Sequence, residues 1–263
     1  MGSSLMWTSK TYSRIAAVSL LSLASAPQVW AQESGGEIDS FNRSLGLEGM
    51  GTDLASVEHE LEHGSPANPP ENSKTQNPKN GSGQKRAPIQ PTESFSNLAF
   101  RANPAVTNSV RAFCLSHMNA QALLTTPTYD SMISRFDERF ASYGFSRHNV
   151  GDTVAGYMIV AWEIVHNADA SNTPTGIRSV RTAVCRILEK RGKAARLTGE
   201  NKQKISELLK CVAELCAQQA RQARQTNNAA TMQQAVNVVT QFPRKLGIDL
   251  ERYQLTDKGF VNG

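Results

Sequence analysis

Residues 149–168, NVGDTVAGYMIVAWEIVHNA, constrain the fold more than any other stretch of the chain. Val150, Val154, Tyr157, Met158, Ala161, Trp162 and Val165 recur at i, i+4, i+7, i+8, i+11, i+12 and i+15, which is one face of an α-helix. Ile159, Val160 and Ile164 extend the apolar surface around the axis, so neighbours must cover the helix on more than one side. Asn149 is a good N-cap, and Asp152 places a carboxylate at the positive helix end. Gly151 and Gly156 each cost about 1 kcal/mol relative to Ala in a helix interior. Gly156 is therefore read as the point where another helix crosses closely. Asp152 and Glu163 interrupt the run, and the uncharged stretch between them is too short to span a bilayer. The segment reads as the central helix of an all-α domain.

Helical periodicity runs through the rest of that domain. Val106, Val110, Phe113, Cys114, His117 and Met118 lie near one face of a helix over 104–124. Thr126-Pro127, a cap followed by proline at the first helical position, opens a helix over 128–143 that Gly144 closes. Thr173-Pro174 repeats the signal for 175–191, with Ile177, Val180, Val184, Ile187 and Leu188 inside. Thr198 caps 200–225. Asn228 caps 229–242, and Pro243 stops that helix. The tail, 246–260, is turn-rich and docks back on the bundle. Strand alternation is nowhere convincing. Short connections between amphipathic helices imply an irregular antiparallel bundle of five to six helices, with 175–191 and 200–225 as a neighbouring hairpin.

Upstream, Lys10 and Arg14 precede an apolar run over 15–23 and then small residues, the pattern of a secretory signal peptide. Cleavage after Ala31 is preferred over Ala26, because the latter leaves Pro27 at the new terminus. An uncleaved anchor is the alternative, against which the short apolar run argues. The chain then divides into a signal peptide (1–31), an acidic and mostly disordered segment (32–63), a disordered linker rich in Pro, Asn, Gly and Ser (64–93) and a helical domain (94–263). This organisation predicts an exported protein, periplasmic or secreted.

Three pieces of the domain carry a family resemblance: Tyr143-Gly144-Phe145 with Asn149-Val150-Gly151-Asp152-Thr153; the helix of Tyr157, Ala161 and Trp162; and Leu246-Gly247-Ile248-Asp249-Leu250 with Leu255-Thr256-Asp257-Lys258-Gly259-Phe260. Over 97–260 the chain resembles a family of exported bacterial proteins known only as a domain of unknown function. The resemblance implies a helical envelope or secreted domain and supplies no catalytic residues.

His59, Glu60 and His63 form a literal H-E-x-x-H, which on a helix sets two imidazoles on one face for zinc with Glu60 as general base. Its polar, acidic surroundings and the linker that follows argue against a packed metalloprotease helix. Glu163 and His166 have the E-x-x-H spacing of di-iron bundles, which need a second such motif and two further glutamates. His117 and His148 have no partner at ligand spacing. There is no G-x-S-x-G, S-x-x-K or P-loop, and no cofactor is implied.

Charge gives the other signal. Residues 94–263 hold 21 Lys/Arg against 13 Asp/Glu, a net of +8. Arg178, Arg181, Arg186, Lys190, Arg191, Lys193 and Arg196 crowd one stretch and read as a candidate anion-binding patch, or else as a solvated surface. For an exported chain the partner is an envelope or extracellular protein or an anionic envelope polymer, not nucleic acid. The leading expectation is a non-enzymatic helical binding domain. The alternatives are a zinc hydrolase using His59, Glu60 and His63, or a secreted effector.

Cys114, Cys185, Cys211 and Cys216 all lie in the domain. An oxidising compartment and an even count invite pairing. Cys211 and Cys216 are about 140° apart around one helix, which excludes a bridge between them. Cys185–Cys211 and Cys114–Cys216 are the expected bridges, against the alternative of four buried thiols.

Overall fold

The computed structural model describes residues 93–117, 126–190 and 193–263. The segments expected as signal peptide (1–31), acidic segment (32–63) and linker (64–93, apart from Glu93) lie outside them, as do residues 118–125 and 191–192. The chain enters through a 3-10 turn, Ser96–Leu98, that buries Phe95 and Leu98. Then follow α1 (Pro104–His117), α2 (Thr126–Ala141), α3 (Val150–His166), α4 (Pro174–Lys190), the short α5 (Lys193–Arg196), α6 (Gly199–Gln225), α7 (Ala229–Val239) and α8 (Gln241–Lys245). A hairpin of β1 (Tyr253–Thr256) and β2 (Gly259–Asn262) ends the domain.

α3 is the hub. Every residue from Val150 to Ile164 is buried, which requires cover on all sides. α4, α6, α7 and the Leu250–Arg252 turn supply that cover. The Asn149 side chain caps the helix by accepting from Gly151 N and Asp152 N. At the other end Asn167 takes the left-handed conformation at φ 50° and donates its N–H to the Glu163 carbonyl, a short polar C-cap. Gly156 makes room for aromatic side chains rather than for a crossing helix backbone: a Cβ there would lie 2.7 Å from Phe136 Cζ and 3.2 Å from Phe140 Cδ2, both of α2. Overpacking of that kind costs roughly 1–3 kcal/mol.

Two expectations change in the C-terminal region. The tail docks back on the bundle, but as an antiparallel hairpin pairing Tyr253 with Asn262 and Thr256 with Gly259. Four-residue strands are too short for alternation to show in sequence. Tertiary contacts hold the hairpin: Trp162 Nε1 donates to Tyr253 O at 2.8 Å, and Ser179 Oγ donates to Asp257 O at 2.8 Å. Gly176 of α4 lets the strand approach, since a Cβ there would sit 2.2 Å from Thr256 O. The helix expected over 229–242 is two helices, and Pro243 does not stop it but sits third in α8. Proline is tolerated there because first-turn N–H groups have no intrahelical acceptor.

A second, smaller core joins Val106, Val110 and Cys114 of α1, Tyr129 and Met132 of α2 and Cys211 of α6. The expected α4–α6 hairpin is not a packed pair. α3 lies between the two helices and contacts both extensively. That arrangement also corrects the cysteines. All four are free and buried, and neither Cys185–Cys211 nor Cys114–Cys216 is formed. Cys185 of α4 faces Asp152 of α3, whereas Cys211 of α6 faces Cys114 of α1. Cys216 lies in the main core by Tyr157. Cys211 and Cys216 do look toward different neighbours, as their angular separation requires.

Candidate functional site

The chemistry-bearing side chains of this domain gather along the seams of α3 and α6. At the N-terminal end of α3, Asp152 is 1 % exposed. It accepts from Arg181 Nε at 2.7 Å, Arg181 Nη2 at 3.2 Å, Ser146 N at 2.7 Å and the Cys185 thiol at 3.4 Å. The Arg181 guanidinium lies between the Phe95 and Phe145 rings, 5.5 Å and 5.8 Å from their centroids. Its Nη1 donates to Glu93 O at 3.3 Å. The carboxylate thus has both oxygens occupied and its charge compensated, the condition under which a buried ion pair is tolerated. Burial, with the Asp152 carboxylate beside it, pushes the Cys185 thiol up, which opposes thiolate formation.

A small cavity of about 10 Å³ adjoins this seam, lined in part by Asp137, Ser146, Asp152, Thr153 and Lys210. That is room for one water. Lys210, buried, donates to Arg147 O at 2.8 Å and pairs with Asp137. Burial pushes its ammonium down, and Asp137 opposes that shift. Further along α6, Glu207 collects donors from three elements. Thr107 Oγ1 donates at 2.7 Å, Gln203 Nε2 at 2.8 Å and the Tyr129 hydroxyl at 3.0 Å. Burial, reinforced by Glu207, pushes the Tyr129 hydroxyl up, so it stays a donor.

At the C-terminal end of α3 the E-x-x-H pair separates. Glu163 pairs with Arg139 and accepts from Ala170 N at 2.9 Å. His166 stacks on Trp162 at 5.0 Å and engages Leu250 O at 2.9 Å. Among the described residues no three His, Cys, Asp or Glu side chains gather as a metal requires. Glu214 lies near Glu163 and three arginines, Arg221, Arg135 and Arg139; burial pushes its carboxyl up against their pull. Exposed His148 tilts against Phe100 at 5.7 Å, and partial burial with Lys210 and Arg147 pushes it down. His117 ends α1. His59, Glu60 and His63 lie outside the described residues.

The basic patch is divided. Arg181 is buried against Asp152 and is no surface charge. Arg178 is exposed, with its guanidinium 6.0 Å over the Tyr143 ring. Arg186 is half-buried and paired with Glu93. Lys190 and Arg196 are exposed, Lys193 opens α5, and Arg191 lies outside the described residues. Glu207, Gln203 and Asp152 were missed as a network. Their partners are distant in sequence, and Gln203 and Glu207 each lie about 160° around α6 from Ile205, so the apolar stripe does not mark them as inward-facing.

Residues 67–262 match the "Family of unknown function (DUF6683)". The chain belongs to that family. The match ends at Asn262, the residue paired with Tyr253, so the hairpin is part of the shared domain, and it begins upstream of the described helices. No curated protein and no solved structure gives a significant match. Among the described residues no helix is long and apolar enough to cross a membrane.

Proposed function

We propose that this chain is an exported, non-enzymatic helical domain that binds an anionic component of the cell envelope or the extracellular space. The observation that carries the reading is the partition of charge. Among the described residues four carboxylates (Asp152, Glu163, Glu207, Glu214) are buried against three cations (Arg181, Lys202, Lys210). Folding therefore withdraws more negative than positive charge from the surface, and what faces water is more basic than the domain's composition. Arg178, Arg186, Lys190 and Arg196 fall on α4 and α5, where such a field attracts polyanions. The export half of the reading is supported by Lys10, Arg14, the apolar run over 15–23 and the small residues up to Ala31.

Co-sedimentation of the purified protein with envelope fractions tests the binding half. Retention at low salt that is lost at roughly 0.5 M salt, where screening is within a few Å, is the expected result. An Arg178→Glu/Lys190→Glu double variant should weaken that retention without unfolding the domain, because both side chains are exposed. Equal partition of the wild type at every salt concentration would remove the reading.

A further inference from the structure

α1 is the helix least woven into the main core. Its stripe of Val106, Val110 and Cys114 meets Tyr129, Met132 and Cys211 in the second cluster. Outside that stripe, Thr107 Oγ1 binds Glu207 and Asn103 N binds Gln203 Oε1 at 2.9 Å. Cys114 and Cys211 come together in that six-residue cluster, and neither residue has exposed surface. They belong to facing helices and are about 100 residues apart, the kind of long loop whose closure restricts an unfolded chain most. Cys185 and Cys216 have other neighbours: the first donates to Asp152, and the second lies by Tyr157.

We propose that Cys114 and Cys211 are a disulfide-forming pair that staples α1 to α6. The reaction is thiol–disulfide exchange with a disulfide-bearing oxidant. One cysteine thiolate attacks the oxidant's S–S bond, forming a mixed disulfide and releasing one oxidant thiol. The other cysteine then attacks the mixed disulfide, the Cys114–Cys211 bond forms, and the second oxidant thiol leaves. Two electrons pass to the oxidant, and the two cysteine protons end on its two thiols. The buried position of both sulfurs assigns the exchange to the folding chain, before α1 closes over Cys211.

The pairing rests on the contact between α1 and α6. Its formation in the cell also rests on the export reading, since the oxidant belongs to an oxidising compartment. Refolding the purified full chain from guanidinium in oxidised and reduced glutathione, followed by alkylation and non-reducing peptide mapping, tests the pairing alone. The expected product carries one Cys114–Cys211 cross-link and alkylated Cys185 and Cys216. Its thermal midpoint should stand roughly 10 °C above that of the reduced chain. Four alkylated thiols, or a bridge through Cys185 or Cys216, would overturn the proposal. A bridge that forms on refolding but is absent from protein taken from its host leaves the pairing standing and removes the export reading.

Discussion

α3 is buried along every residue from Val150 to Ile164, whereas α1 buries a single stripe of Val106, Val110 and Cys114. The two helices are fastened by different means. α3 is enclosed by apolar side chains, and its two buried carboxylates, Asp152 and Glu163, each meet an arginine from another helix, Arg181 and Arg139. α1 rests on α6 through a small core and a hydrogen-bonded network centred on Glu207. Removing a group beside α3 should therefore destabilise the whole domain, and removing one beside α1 should loosen that helix first.

The largest effect is expected at Trp162, which is buried and binds the hairpin through Tyr253 O. Trp162→Ala should cost roughly 3–5 kcal/mol in urea unfolding and expose the amides of β1 and β2 to exchange. Near-wild-type stability would break the account of α3 as the hub. Arg181→Ala should approach the same size, about 3–5 kcal/mol, because Asp152 is left buried without its cation. A cost under about 1 kcal/mol would place Arg181 among ordinary surface arginines instead.

Arg181 also shows where legibility in the sequence stopped. It belongs to the basic run by composition, yet Ile177, Arg181, Val184 and Leu188 stand at i, i+4, i+7 and i+11, all on the buried stripe of α4. Helical phase, not charge type, decides where this side chain lies. α3 itself is legible because local rules suffice for it: apolar period, an Asn149 cap, and a Gly156 that leaves room for a neighbour, here the Phe136 ring. The Glu207 network left no such trace, since Thr107 and Asn103 reach it from about 100 residues away and amphipathic phase does not name partners. The cysteine pairing failed for a related reason. Adjacency in sequence does not give adjacency in space here, because α3 comes between α4 and α6.

Glu207→Ala should cost about 1–3 kcal/mol by leaving the Tyr129 hydroxyl buried without its acceptor. Its distinguishing sign is faster amide exchange in α1 with α3 unchanged; equal acceleration in both would merge the two regions into one unit. The smallest effect concerns Glu214. Burial raises its carboxyl in the folded state, so the folded form binds its proton more tightly than the unfolded chain does. Its contribution to stability is fully present below the unfolded value, about 4.5, and is lost as pH rises through the folded value. Glu214→Gln should accordingly be more favourable relative to wild type at pH 7 than at pH 4, as read from paired denaturation curves. A difference of the opposite sign would mean that Arg135, Arg139 and Arg221 outweigh the burial.

Native-state hydrogen exchange, resolved by residue over α1 and α3, tests the organisation around α3 most directly. The amides of 154–164 should exchange only through global unfolding, with denaturant dependence equal to that of the whole domain. Those of α1 should open earlier, with a shallower dependence, and should join the global class when Cys114 and Cys211 are linked. Slower exchange in α1 than in α3, or sub-global opening of 154–164, would contradict a domain built around its central helix.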